Sequence, residues 1–371
     1  MPHPTVTIAV TVHNRERYIA QCLDSILAQT LRDIEVVCVD DASTDGSFSI
    51  LERYAALDNR IRLHRFTENR GVQQARNHAT KVAQGEYIIF VDDDDWISDD
   101  CAEQCVKCFL QTPEADCVLI PELRQRPDGT LFEPTGRKHF GSITGEEAFL
   151  LSLPWQVAGN FCVRTTYQRQ HPYDNSCRYF GDENTGRLML LDARHVVLSE
   201  GRYYYRMTEA SVCHSTGIGH YTRLHAQRVL ADELCLRRTK PMLRQAYEGF
   251  CWHNIVGAYM RYYKERGKMD TAMRHEVLSI IKQAHSQMDF SLVPPRMRCK
   301  FGFIPFQDSW SLFRIQEEAY FFLRTIAGRM QTDDTGDSEK RQYPVGEAEA
   351  RLQNKSYAIT LQKLCFHSVI A

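Results

Sequence analysis

The chain has 371 residues, 43% of them hydrophobic and 25% charged, which allows a sizeable core in two domains or in one large domain with an appendage. A formal net charge of -2, with Lys and Arg spread rather than striped along one element, lacks the electrostatic footprint of a nucleic-acid binder. The N-terminal Met1-Pro-His-Pro-Thr5 has no basic segment leading into an apolar run, and no stretch reaches the about 18–20 apolar residues of a membrane span, so a cytoplasmic protein is expected.

From Thr5 onward, strand-like and helix-like segments alternate, the signature of a parallel sheet with crossover helices. The predicted strands are Thr5–Val12, Ile34–Val39, Ile61–Phe66 and Glu86–Val91. Glu16–Ala28 shows helical periodicity through Ile19, Cys22, Leu23, Ile26 and Leu27. Asp45–Leu57 opens with a capping pattern in which Ser43 or Asp45 serves as cap, and Gly71–Ala83 turns Ala75, Ala79 and Val82 inward. A further strand is predicted at Asp116–Pro121, a turn at Pro127–Gly129, a short helix near Glu146–Leu151 and a strand over Trp155–Val163. Beyond His214 the pattern is mostly helical, in Tyr221–Arg237, Gln245–Lys268 and Trp310–Met330. Residues 331–346 are polar and Asp/Gly-rich, as in a flexible linker before a last short segment.

Four consecutive carboxylates, Asp92 to Asp95, end the apolar run Glu86–Val91. Adjacent aspartates on a tight turn repel by about 1–4 kcal/mol per pair at 4 Å, so such a run calls for a cation, and an oxygen-only ligand set suits a hard ion such as Mn²⁺ or Mg²⁺. Ligands of open α/β sheets bind at the carboxyl ends of strands, where Asp40-Asp41 and Asp92–Asp95 both fall.

Several other site types are disfavoured. The loop after the first strand, Val12-His-Asn-Arg-Glu-Arg17, holds no glycine, against the G-x-G-x-x-G of a dinucleotide fold, and no G-x-x-x-x-G-K-[ST] loop is present. Asp41 to Glu52 imitates a calcium loop, with Gly46 in the turn position, but a strand rather than a helix precedes it. Cys101, Cys105 and Cys108 have the C-x3-C-x2-C spacing of an iron–sulfur site, yet they follow a helix start at Asp99-Asp100, and i, i+4, i+7 spacing places three small apolar side chains on one buried face. The 13 cysteines of this chain read as free thiols.

Taken together, Val6–Asn14, Ser25–Thr30, Val39–Gly46, Asn69–Gly71, Ala75–Asn77 and Gly85–Trp96 resemble, in order and spacing, the inverting glycosyltransferases of family 2. The resemblance covers about residues 5–100 strongly and 101–214 weakly. It implies a GT-A fold, an α/β, Rossmann-like, mostly parallel sheet flanked by helices, with a mainly helical C-terminal extension. The implied division is a catalytic domain over 1–214 (nucleotide-sugar half about 1–98, acceptor half about 99–214), a helical region over 215–330 and a polar linker with a short tail over 331–371.

The activity implied is hexosyl transfer from a nucleoside-diphosphate sugar, a UDP-sugar foremost, to a glycan or lipid-linked acceptor hydroxyl with inversion, in cell-surface polysaccharide or glycan synthesis. Thr11, His13, Asn14, Arg15 and above all Asp41 would hold the nucleoside, with Arg76 nearby. The family's D-x-D falls on Asp92 and Asp94 as metal ligands, with Asp93 and Asp95 beside the donor. Tyr203–Arg206, Ser211 and His214 resemble a closing element in which Arg206 or His214 meets the diphosphate or the ion. Two departures are Thr11 where the family has proline and His13 where it has an aromatic residue.

Inversion needs one direct displacement, so a single carboxylate from a distant segment must take the acceptor's proton. Tyr179-Phe-Gly-Asp-Glu183 supplies Asp182 and Glu183, of which Asp182 is favoured because it follows the glycine as the base does in similar sequences; a solvated helix cap is the alternative. The competing functions are a sugar nucleotidyltransferase, which lacks its glycine-rich loop here, and a non-catalytic calcium- or sugar-binding module. Leu312–Leu323 has an apolar face with basic residues nearby, which suits packing on the catalytic domain first and peripheral attachment at the inner face of the membrane second.

Overall fold

The computed structural model describes residues 3–157, 159–177, 179–207, 217–298 and 308–326. Two compact units are present, Met1–Ser211 and Val212–Ala371. His214 and Ser211, together with the stretch 331–371, lie outside the described residues.

The first unit begins with β1 (Val6–Val12), α1 (Ile19–Leu27), β2 (Ile34–Asp40), α2 (Ser47–Leu57), β3 (Ile61–Arg65), α3 (Val72–Val82) and β4 (Tyr87–Asp92). Every residue of β1 and β2 is buried, which is why these segments read as continuous apolar runs rather than as alternating ones. The chain continues through β5 (Trp96–Ile97), α4 (Cys101–Gln111), β6 (Ala115–Leu119), β7 (Glu122–Gln125), β8 (Leu131–Phe132), β9 (Ser142–Thr144) and α5 (Gly145–Ser152). It closes with β10 (Phe161–Arg164), α6 (Thr165–Gln170), α7 (Gly181–Asp192), β11 (His195–Leu198) and β12 (Tyr203–Arg206).

The large sheet has the order β3-β2-β1-β4-β10-β6-β11-β9. Its β3-β2-β1-β4 half is parallel throughout, and antiparallel β10 bridges β4 to β6. After β1 the chain winds outward through β2 and β3, then returns to place β4 on β1's other side. The carboxyl ends of β1 and β4 therefore flank the switch point at which such sheets open a crevice. Ile8, Val10 and Val36 face Leu23 of α1, Leu51 of α2 and Cys105 of α4. Ala9, Val37 and Val39 face Ala75 and Ala79 of α3, Ala148 of α5 and Met189 of α7. A smaller sheet, β5-β12-β7-β8, forms beside it.

Gly85 sits where α3 returns to β4, and its N–H donates to Thr7 Oγ1 at 2.9 Å. A Cβ there would collide with the Thr7 backbone nitrogen and lie 2.7 Å from Thr7 Oγ1. Gly85→Ala is accordingly expected to destabilise the first unit by about 1–3 kcal/mol through overpacking at the sheet's base, read as a lower urea midpoint with the donor crevice untouched.

Two local expectations are corrected. Trp155–Val163 is not one strand: Trp155 adopts φ 59, and the N–H groups of Gln156 and Val157 both donate to the Leu151 carbonyl, closing the end of α5, so the strand starts only at Phe161. The N-cap position of α2 is taken by Gly46, without a side-chain cap; Asp45, just before it, accepts the Ser47 N–H at 2.9 Å through Oδ1, and Ser43 Oγ accepts the Asn14 N–H at 3.1 Å. Cys101 and Cys105 are buried within α4 as expected, and they are free thiols.

The second unit is helical, with a 3₁₀ turn at Ile218–Thr222 followed by α8 (Arg223–Leu236), α9 (Pro241–Glu265), α10 (Thr271–Ser286), α11 (Pro295–Arg298) and α12 (Trp310–Ile326). The sequence reading does not isolate α10, although its cap is legible: Asp270 accepts the Met273 N–H at 2.8 Å. Within this unit Trp252 of α9 meets Phe313 of α12 edge to face at 5.5 Å, and α12 buries Phe313, Glu317 and Phe321. Its other side leaves Leu312, Ile315, Phe322, Leu323 and Ile326 exposed. Among the described residues no helix is long and apolar enough to cross a membrane.

Candidate active site

At the end of β1, Thr11 pairs with Asp92 of β4 across the sheet, and the chain then turns through His13, Asn14 and Arg15. His13 Nδ1 lies 2.8 Å from the Asp41 carbonyl, which only accepts, so this nitrogen carries the proton. His13 Nε2 then accepts from the amides of Asn14 at 3.2 Å and Asn69 at 3.1 Å, which fixes the ring. Asn14 holds a left-handed φ of 55, and its Oδ1 accepts the Thr44 N–H at 2.8 Å. Such a conformation suits Asn, whose short polar side chain bonds locally.

Asp41 is buried, and its two oxygens accept the backbone N–H groups of Arg70 at 2.7 Å and Gly71 at 2.8 Å. Gly71, at φ 88, begins α3 in a region that a Cβ would strain. The Asp41 carboxylate thus locks the Asn69–Gly71 loop against the end of β2, forming one wall of the crevice.

The acidic run follows at the carboxyl end of β4. Asp92 Oδ1 accepts from Arg76 Nη2 at 2.7 Å. Asp93 accepts the His13 N–H at 3.0 Å and lies 3.4 Å from Arg15 Nε, which also stands 3.6 Å from Asp94. Asp95 is fully buried, with Oδ2 accepting from the Tyr203 hydroxyl at 2.9 Å and Oδ1 from the Arg206 N–H at 2.7 Å. The Tyr203 hydroxyl in turn accepts the Asp92 N–H at 3.1 Å. Arg206 spreads its guanidinium among the Asp94 carbonyl at 2.9 Å, Gln125 at 3.0 Å and Gln21 at 2.6 Å, and stacks near Trp96 at 4.8 Å.

Crowding of carboxylates has the expected electrostatic result. Burial, then repulsion from Asp94 and Asp92, pushes Asp93 up to about 8 against the pull of Arg15 and the His13 N–H. Asp94 is raised by burial and by Asp92, and Asp95 is raised well above the ordinary carboxyl range by burial and by its neighbours Asp92 and Asp94. These shifts mark carboxyls that are buried and crowded against one another. Among the described residues no cluster of three or more His, Cys, Asp or Glu forms a ready-made metal cage.

Asp182 and Glu183 lie in the first turn of α7 and diverge. Asp182, 45% exposed, accepts from Arg76 Nη1 at 3.1 Å. Glu183, 14% exposed, pairs with Arg187 of its own helix at 3.1 Å. Asp182 therefore shares the crevice with Asp92, whereas Glu183 is bound to its own helix. Sequence reasoning missed three contributors: Tyr203 as the pin of the acidic turn, Tyr173 beneath Arg76 at 5.2 Å, and Asn69 against His13. Tyr203 and Asn69 fell within motifs visible in the sequence, Tyr203–Arg206 and Asn69–Gly71, without these contacts being legible, and Tyr173 carried no signal.

The sheet order and the acidic turn at its switch point are those of a GT-A-type fold. Residues 7–171, within the first unit, match the family model described as glycosyl transferase family 2. EpsH of Bacillus subtilis (strain 168), named as a glycosyltransferase, is 44% identical over 138 residues, 37% of each chain, so the match spans little more than a third of that relative. Glycosyltransferase GlyG of Streptococcus pneumoniae is 26% identical over 225 residues, covering 56% of this chain and 72% of GlyG. The crystal structure of S. aureus TarS 1–349 has the same fold, with a TM-score of 0.64 and 19% identity over 86% of this chain and 91% of TarS 1–349. TarS 1–349 has also been solved in complex with UDP-GlcNAc.

Proposed function

We propose that this protein is an inverting glycosyltransferase that moves a sugar from a nucleoside diphosphate, a UDP-sugar first, to an acceptor hydroxyl in cell-surface glycan assembly. The observation that carries the reading is the meeting of Asp92, Arg76 and Asp182 at the switch point of the sheet, which places a donor-side acidic turn and a distal carboxylate in one crevice. UDP and UDP-GlcNAc are the ligands of the TarS structures of this fold, which supports the choice of donor. Cytoplasmic location and peripheral membrane attachment through a lipid-linked acceptor belong to the same proposal.

The residues fit a divalent cation of the kind the fold family implies. Asp92 and Asp94 are oxygen donors on one turn, where burial and then repulsion from Asp92 raise the Asp94 carboxyl, and two carboxylates completed by substrate phosphates suit Mg²⁺ or Mn²⁺ better than an all-protein cage would. His214 is the third ligand proposed from the sequence. When bound, the ion would supply Lewis-acid neutralisation of the diphosphate.

His13, Asn14, Arg15, Asp41 and Thr11 frame the nucleoside's wall, with Asp41 acting by fixing the Asn69–Gly71 loop. Asp93 and Asp95 shape the turn beside the donor, and Arg206 ties it to β12. Asp182 takes the proton of the acceptor hydroxyl as its oxygen attacks the anomeric carbon from the face opposite the diphosphate. The bond from that carbon to the phosphate oxygen breaks, and the departing nucleoside diphosphate keeps the electron pair. Glu183, engaged by Arg187, orients the start of α7 instead.

The test is a panel of UDP-, GDP- and TDP-sugars incubated with the full chain, with and without Mn²⁺, followed by measurement of nucleoside diphosphate release. Mn²⁺-dependent release of UDP supports the reading. Pyrophosphate as product would indicate a nucleotidyltransferase, and binding without turnover a carbohydrate-binding module.

A further inference from the structure

Arg76 stands on α3, where a solvated arginine is the ordinary expectation, yet its side chain is only 10% exposed. The planar fork of its guanidinium reaches in two directions at once, with Nη2 at 2.7 Å from Asp92 Oδ1 and Nη1 at 3.1 Å from Asp182 Oδ2. Its Nε has no partner, so the guanidinium is held through the two outer nitrogens and by the Tyr173 ring at 5.2 Å.

The carboxylates it joins come from elements far apart in the chain, the end of β4 and the first turn of α7. Both remain nearly half exposed, at 44% for Asp92 and 45% for Asp182. Two such groups repel when nothing positive lies between them, and an aspartate at a helix start is free to rotate toward solvent. Arg76 removes both freedoms. A lysine could satisfy one carboxylate but not both, because its ammonium is a point charge without a fork.

We infer that Arg76 is a positioning residue that aims the Asp182 carboxylate at the acceptor hydroxyl and couples that aim to the donor-side Asp92. The inference rests on the reading of Asp182 as the base. It gives Arg76 a task on the acceptor side of the reaction, distinct from contact with the nucleotide.

A double-mutant cycle on the full chain tests it, using Arg76→Met, Arg76→Lys, Asp182→Asn and the combinations. Two quantities are measured: kcat and KM with the sugar nucleotide that the panel selects, UDP-GlcNAc in the first instance, and UDP affinity by calorimetry. Arg76→Met is expected to lower kcat by about 100-fold, the scale of a misplaced catalytic group, with UDP affinity within about threefold of wild type. On the Asp182→Asn background the same change should cost less than about threefold more, because the residues act as a unit. Arg76→Lys should restore part of kcat, and it carries the test alone if Arg76→Met does not fold.

Weakened UDP binding with kcat preserved would overturn the inference and make Arg76 a donor contact. So would a double mutant whose loss equals the product of the single losses. Full turnover in Asp182→Asn is the separate result that removes the base assignment itself, and this inference with it.

Discussion

Asp182→Asn is expected to lower kcat by about 10²- to 10⁴-fold while leaving donor affinity nearly unchanged, the range that general-base catalysis contributes. The side chain keeps its shape and can still meet Arg76, so the fold and the crevice persist. On the proposed assignment, what it loses is the ability to accept a proton from the attacking hydroxyl. Glu183 cannot take over, because Arg187 engages its carboxylate at 3.1 Å and the side chain is largely buried. Glu183→Gln should therefore be the milder change, altering stability more than turnover. Steady-state kinetics of both variants with one donor and one acceptor decides between them; a collapse confined to Glu183→Gln would reverse the assignment.

Asp94→Ala comes next in expected size. Removing one of the two proposed ion ligands should reduce transfer by several kcal/mol in the transition state, on the order of 10²- to 10³-fold. Stability should not suffer, because burial and the neighbouring Asp92 already push this carboxyl upward, and the alanine relieves that repulsion. The comparison is a pair of thermal melts with and without Mn²⁺ plus UDP. Wild-type protein should gain several degrees from the additions, and the variant should gain little. An undiminished shift in the variant would place the cation elsewhere.

Much of the β1–β4 half of the first unit was legible in the sequence because physics made it local. Strands buried on both faces read as unbroken apolar runs, as in Ile34–Asp40, and a run of aspartates at a strand's end has few uses other than holding positive charge. The helices of that half declared themselves by the spacing of Ile19, Cys22, Leu23 and Ile26. What stayed hidden depended on distant partners. Trp96–Ile97 and Leu131–Phe132 are too short to show a period, and only pairing makes them strands. Trp155 looks like strand material until its backbone turns left-handed. Arg76 sits among Gln73, Asn77 and His78, so α3 reads as polar there, and its burial follows from a carboxylate 106 residues later.

The hydroxyl of Tyr203 reaches Asp95 across 108 residues of chain. Everything between them, from β5 through β11, is in effect a long excursion whose two ends are riveted together beside the aspartate run. Fastened in that way, the aspartate run is held from both ends of the excursion, so alterations in its surface stretches need not slacken the turn.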